Sequence, residues 1–394
     1  MVEPLLVVGL AVAVFVGFNI GGSSTGVAFG PAVGSGTVSK LAAAALMTCF
    51  AVLGGWTVGR EVIKTMGGQI VPQSRFTLAA SVAVLFFVGF ALLISNLFGV
   101  PASTSMTAVG AIAGLGAASG TLNMDKMGEI VSWWIVAPVT AFWICAVIGR
   151  YFYPYLSVRF DIEGEDGSRK QRISQLLVVG IGCYMAFSAG ASNVANAVAP
   201  LVGAGELAVG PGILLAGGAI GVGAFTIARR TLDTVGNDLT DLPLLAALIV
   251  EVVSASLITF LSSIGIPASL AVSATMSIVG LGWGRATRTT TITQAAEQAV
   301  KGEGAAQADG GDHERVTSPK QTQKKKKKTV GGALQADKPG ESVAPIGEEK
   351  PDELAASDLF DPGTTGRVIG LWIVTPSLSA AASYLLFSVF PIYG

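Results

Sequence analysis

Histidine is nearly missing, with one in 394 residues. That one, His313, lies in a polar stretch, so imidazole catalysis and imidazole metal binding are excluded from the apolar remainder. Cysteine is scarce too. Cys49, Cys145 and Cys183 lie far apart in apolar stretches, without metal-binding spacing, and read as small buried hydrophobes. Charge is the third shortage: Asp, Glu, Lys and Arg supply 13% of the chain, about half the share of a soluble domain. Of those 51 charges, 25 crowd into residues 285–366. A net charge of −1 offers no bulk attraction for nucleic acid. Soluble enzymes, nucleic-acid binders and disulfide scaffolds are thereby excluded. What is present is apolar, with 51% hydrophobic residues and 51 glycines, the composition of a membrane protein.

Ten apolar stretches are long enough to cross, or nearly cross, a bilayer. They fall near 4–20, 41–59, 76–99, 102–118, 130–150, 174–190, 208–228, 242–264, 267–284 and 367–390. The first follows Met-Val-Glu-Pro with no basic region, so it reads as a span and not as a cleaved signal peptide. The fourth and ninth are short and rich in small residues. Between the first and second, and between the sixth and seventh, the chain is apolar but heavy in Gly and Pro. Those links are expected to be re-entrant or broken helices, covered by protein or facing a water-filled cavity.

An internal repeat organises the chain. Phe18–Gly36 reads FNIGGSSTGVAFGPAVGSG and Phe187–Gly205 reads FSAGASNVANAVAPLVGAG, with eight of nineteen positions identical at an offset of 169. At that offset Arg60, Thr65 and Gly67 match Arg229, Thr234 and Gly236. Further on, GVPAS (99–103) matches GIPAS (265–269) at an offset of 166. Five spans per repeat is an odd number, which inverts the second copy relative to the first. Inverted repeats are the architecture of many secondary transporters, with the substrate near the midplane at the repeat interface. The expected fold is therefore an all-α membrane protein of about ten spans plus re-entrant or broken helices, in two inverted-topology repeats. Repeat one covers 1–157, repeat two covers 170–284 plus 367–394, and 285–366 is a disordered loop.

Numbering the loops alternately places eleven Lys/Arg on one side, Arg285 and Arg288 at the start of the polar loop among them, and four on the other, before the rest of that loop is counted. The positive-inside rule makes the richer side cytoplasmic. A multi-pass cell-membrane protein follows, with both termini outside and 285–366 in the cytoplasm. That loop is too poor in aromatics to order itself. Its Lys324–Lys328 run reads as a solvated linker, or as a contact for anionic lipid headgroups or a regulatory partner.

The repeated motif has an understandable chemistry. A helix that breaks inside the membrane presents backbone N–H groups and its positive dipole end to an oxyanion. Ser23, Ser24 and Thr25 in repeat one, and Ser192, Asn193 and Asn196 in repeat two, add hydrogen-bonding groups without a full charge. Helix packing by small residues is the competing reading of the same pattern. The second block, Ser103-Thr104-Ser105 after Pro101, and Ser269 after Pro267, reads as a pair of capped helix starts that complete the site. The one carboxylate inside a span is Glu251. It is a candidate for cation coupling, or a neutral group in a structural role; Asn196 is the other coupling candidate. Glu206, after the second motif, is expected at the external mouth. Arg60 and Arg229 are expected to mark opposite faces.

GASNVANA (190–197) followed by Pro200 resembles the hallmark of the inorganic phosphate transporter family, Gly-Ala-Asn-Asp-Val-Ala-Asn-Ala in each of two inverted repeats. GVPASTSMTAVGAIAG (99–114) resembles that family's Gly-Leu-Pro-Val-Ser-Thr-Thr-His block. The resemblance covers both halves outside 285–366. It implies cation-coupled uptake of phosphate, or in some relatives sulfate. This chain departs from the pattern: the hallmark Asp falls on Ser24 and Asn193, the Asn before it on Ser23 and Ser192, the second Asn is Val27 in repeat one, and the His is Met106. A site without those carboxylates suits an anion and is weaker for Na⁺. A fully ionised sulfate needs no acceptor, whereas phosphate carries a proton that wants one. The resulting expectation is a non-enzymatic secondary permease for phosphate, probed against two alternatives, a permease for sulfate or another oxyanion and a passive anion channel. It needs no cofactor or resident metal; the coupling ion would be Na⁺ or H⁺. Its partners are a small inorganic oxyanion and membrane lipid, with no nucleic acid, and a homodimer is compatible.

Overall fold

A computed structural model describes residues 3–97, 103–159, 169–227, 244–289 and 362–394. Each of the ten expected stretches coincides with a helix. Repeat one holds α1 (Pro4–Gly34), α2 (Lys40–Thr57), α3 (Gly59–Lys64), α4 (Leu78–Leu97), α5 (Thr104–Ala118), α6 (Met124–Val147) and α7 (Tyr153–Arg159). Repeat two holds α8 (Arg169–Gly203), α9 (Val209–Thr226), α10 (Leu244–Ser263), α11 (Leu270–Ala286) and α12 (Pro362–Val389). Among the described residues, seven helices are long and apolar enough to cross a membrane, and α4 and α5 are shorter apolar helices. Of the expected loop, residues 290–361 lie outside the described residues, as do Pro101, Ala102, Arg229, Thr234, Gly236, His313 and Lys324–Lys328.

The Gly-rich links are not broken. α1 runs unbroken for 31 residues and α8 for 35, straight through both copies of the motif. In lipid every backbone group must find an internal partner, which holds the helix together despite its glycines. The small polar side chains follow the helix rather than interrupt it. Thr25 Oγ1 donates to Gly21 O at 2.7 Å and Ser23 Oγ to Ile20 O at 3.1 Å. Pro31 and Pro200 sit in the last turn of each helix. Two residues past each helix the chain turns through a left-handed glycine, Gly36 at φ +71° and Gly205 at φ +77°. Helices begin instead at the second block, where Ser103 and Ser269 stand in extended conformation just before α5 and α11.

The motif glycines serve close approach. A Cβ on Gly21 would lie 1.9 Å from Ile220 O on α9, and one on Gly190 would lie 2.0 Å from Ala51 O on α2. Ala51 and Ile220 are themselves 169 residues apart. The same holds one layer on: a Cβ on Gly54 would meet Phe187 O at 1.9 Å, and one on Gly223 would meet Phe18 O at 2.1 Å. The closest helix crossings thus join one half to the other. α1 lies on α9 while α8 lies on α2, and α5 lies on α12 while α11 lies on α6. Gly114 against Ala380 O and Gly280 against Phe142 O make that outer pair of crossings. Small residues set all four crossings, as in tightly packed membrane helices.

Among the described residues, two π-helices interrupt regular winding, Thr65–Gln69 and Ile148–Phe152. The first packs on α8 and the second on α11. Gly265, just ahead of it, is held against Thr65 Oγ1, and Arg150 of the second π-helix donates to Thr287 O at its far end, while Arg288 donates to Arg150 O at 2.6 Å. Cys145 and Cys183 are buried as expected, but Cys49 is exposed on the outer face of α2.

Candidate functional site

α5 and α11 begin inside the protein, and each start is capped by the serine in front of it. Ser103 Oγ accepts from Met106 N, and Ser269 Oγ accepts from Val272 N, both at 3.3 Å. The first two N–H groups of each helix, on Thr104 and Ser105 and on Leu270 and Ala271, have no intrahelical acceptor. Both starts open on one cavity of about 40 Å³, lined by Ser23, Ser24 and Val27 of α1, Asn193 of α8, Thr104 of α5, and Ser269, Leu270 and Ala271 at the head of α11. That is room for about three water-sized spheres, or one small ion.

A second layer stands behind Asn193. Thr104 Oγ1 donates to Asn193 Oδ1 at 2.6 Å, and Asn196 Nδ2 donates to the same oxygen at 3.1 Å. Asn196 also reaches Ser105 Oγ at 3.2 Å and Thr104 Oγ1 at 3.3 Å. Ser105 and Ser192 hydroxyls meet at 3.1 Å, and Ser192 Oγ donates to Ala268 O at 2.6 Å. Two donors therefore hold the carboxamide oxygen of Asn193 inward, which leaves its NH₂ for the cavity. The chemistry of the lining is hydroxyls, an amide and two positive helix ends, with no charged side chain among its residues. Such a surface suits an oxyanion.

Of the ten residues singled out for substrate, Ser23, Ser24, Thr104, Asn193 and Ser269 line the cavity. Ser105, Ser192 and Asn196 form the layer behind. Ser103 is spent as a cap, and Thr25 is turned back onto its own helix. Val27, Leu270 and Ala271 escaped sequence reasoning. Val27 holds the motif position that is Asn196 in repeat two, and Leu270 and Ala271 follow the capping serine, so their spacing carried the signal. Glu251 is buried in α10 and does not line the cavity. Glu206 is exposed in the turn after α8. Arg60 stacks over the Trp56 ring at 4.6 Å and donates to Trp56 O, away from the cavity.

Residues 20–383 match the model of the phosphate transporter family. The chain is 36% identical over 271 residues to the sulfate permease CysP of Bacillus subtilis, a match covering 68% of this chain and 75% of that one. It is 22% identical to a Pyrococcus furiosus protein named as a phosphate permease, over 72% of this chain and 89% of that one. Among solved structures, a sodium-dependent phosphate transporter shares the fold with a TM-score of 0.66 and 18% identity, covering 98% of this chain and 99% of that one.

Proposed function

Because this chain belongs to the phosphate transporter family, we propose that it is a secondary transporter of a tetrahedral oxyanion, and that the oxyanion is sulfate. The observation that carries the choice is the lining of the cavity: hydroxyls, one carboxamide and two helix N-termini, without a carboxylate. Phosphate near neutral pH keeps at least one proton, and a buried acceptor charge would receive it. The same charge would repel sulfate, which has no proton to give. The lining carries no acceptor charge, and its donors are the Asn193 NH₂, the Ser24 and Ser269 hydroxyls and the unpaired N–H groups at the two helix starts, a set that favours the fully ionised anion because an unmatched polar group on a bound ligand is costly. The carboxamide oxygen that could serve as an acceptor is already taken by Thr104 and Asn196. The similarity to a sulfate permease points the same way.

The transport cycle runs on a cation gradient and on alternation of two inverted halves. The exchanged packing, α1 on α9 against α8 on α2, is what such a pseudo-twofold would produce. The substrate cavity lies where helices of both halves meet. The Lys/Arg count orients the fold with both ends of the chain outside.

Competitive uptake tests the substrate. In proteoliposomes holding the purified protein, uptake of labelled sulfate is expected to persist in a large excess of phosphate and to be abolished by unlabelled sulfate. Displacement by phosphate at equal concentration would return the protein to the phosphate permeases.

A further inference from the structure

Glu251 is the one acidic side chain buried among the described residues, at 4% exposure. Its Oε1 is closed off from solvent and has no hydrogen-bond partner, and neither of the ion pairs among the described residues includes it. A structural carboxylate in such a place is ordinarily held by donors or a cation. A bare charge there would cost several kcal/mol. The packing does not ask for it either. At the 166-residue offset the same position in repeat one is Leu85, fully buried in the core. A carboxyl thus stands where its counterpart helix has an aliphatic side chain.

The elements packed on α10 are α8, α11, α6, α3 and α1. Their titratable side chains are mostly engaged. On α3, Glu61 pairs with Lys64 at 2.6 Å and Arg60 stacks on Trp56; on α6, Lys126 pairs with Glu129 at 2.8 Å and Asp125 lies in the first turn of the helix. On α8, Tyr184 hydroxyl donates to Ser256, with Cys183 beside it and Arg172 near the helix start. Arg285, at the end of α11, lies over the Tyr153 ring; Cys145 of α6 is buried. α1 contributes no titratable residue within its helix.

α10 is also tied to two of the four elements that build the cavity, α8 and α11. One turn beyond Glu251, Ala255 O accepts from Ser188 of α8, which is one turn before Ser192. Ser254 and Ser277 hydroxyls meet at 3.2 Å and join α10 to α11. A change of charge at Glu251 therefore acts on the two helices that hold Asn193 and the Ser269 helix start.

We infer that Glu251 is a proton-binding site that couples oxyanion movement to a proton gradient. This rests on the transport reading above and names its coupling ion. The carboxylate takes up H⁺ from the water on one side of the membrane, crosses the cycle as a neutral carboxyl, and releases H⁺ on the other side.

The test separates exchange from accumulation in proteoliposomes clamped at zero membrane potential. With wild type, an inward gradient of one pH unit is expected to support about tenfold sulfate accumulation per coupled proton. Glu251→Gln, which copies the neutral carboxyl in shape, is expected to keep sulfate–sulfate exchange and lose the accumulation. Glu251→Asp is expected to restore part of the pH response. Accumulation by Glu251→Gln equal to wild type would overturn the inference. So would loss of exchange in both variants, which would make the residue structural, or wild-type accumulation driven by a Na⁺ gradient and indifferent to pH. If phosphate exchanges and sulfate does not, the substrate reading fails, and the same variants read with labelled phosphate still decide the role of Glu251.

Discussion

Gly190→Ala puts the helix crossing of the motif to a direct test. The added Cβ would stand 2.0 Å from Ala51 O and 2.4 Å from Ala51 Cα, where ordinary contact begins near 3.4 Å. All three of its nearest atoms are backbone, so no side chain can swing aside, and α8 and α2 must part by about 1.4 Å at this point. Overpacking of this kind costs about 1–3 kcal/mol, and backbone contact places it at the upper end. Parting the helices also shifts Ser192 and Asn193 within the next turn. Gly180 on the same helix is the control, because nothing lies within 4 Å of its added Cβ. There alanine is neutral, or stabilising by about 1 kcal/mol through helix propensity. The assay is thermal unfolding of the purified protein in detergent, followed by size-exclusion fluorescence, together with uptake. Gly190→Ala is expected to melt well below wild type and to lose most uptake, with Gly180→Ala at or above wild type. Gly21→Ala should match Gly190→Ala, because its Cβ meets Ile220 O at 1.9 Å in the related crossing. Equal melting of Gly190→Ala and Gly180→Ala would refute the reasoning, and so would opposite effects at Gly21 and Gly190.

Two further perturbations follow from the cavity and its rim, besides the competition and proton-coupling tests above. Asn193→Asp places a carboxylate on the lining; like charges about 4 Å apart repel by about 4 kcal/mol at an intermediate dielectric, so the apparent affinity for sulfate should fall more than tenfold in uptake kinetics. Trp134→Phe removes the 2.8 Å bond from the indole N–H to Pro267 O, just ahead of α11. About 1 kcal/mol of stability should be lost, visible in the melting curve, with the KM for the oxyanion raised as the helix start loosens.

All ten apolar stretches were legible from composition, because a bilayer imposes length and apolarity on whatever crosses it. The repeat picked out residues that the fold brings together: Ser23, Ser24 and Asn193 converge on one cavity with the starts of α5 and α11. The continuity of α1 and α8 was not legible. Glycine weakens a helix in water, and the same glycine permits a close crossing in lipid, so Gly21 and Gly190 carry both meanings until the partner helix is seen. A clue lay in Ala51 and Ile220, spaced like the glycines they face, but a carbonyl partner leaves no mark on residue type. The layer behind the cavity was illegible for a related reason. Whether Ser192 faces a ligand or Ala268 O depends on a few tens of degrees of helix rotation, and both choices use serine. The two π-helices have no compositional signature either.

The exchanged pairing of helices has a consequence for how the protein is made. Ser383 Oγ on α12 bonds to Ala111 O on α5 across 272 residues of chain. During synthesis the first half enters the membrane with α5 lacking its partner and its glycine face open to lipid or to a neighbouring chain. Assembly is therefore a waiting problem, slow for the reason that any long-range closure is slow. The polar segment between α11 and α12 lengthens that wait, which makes its length a variable of biogenesis.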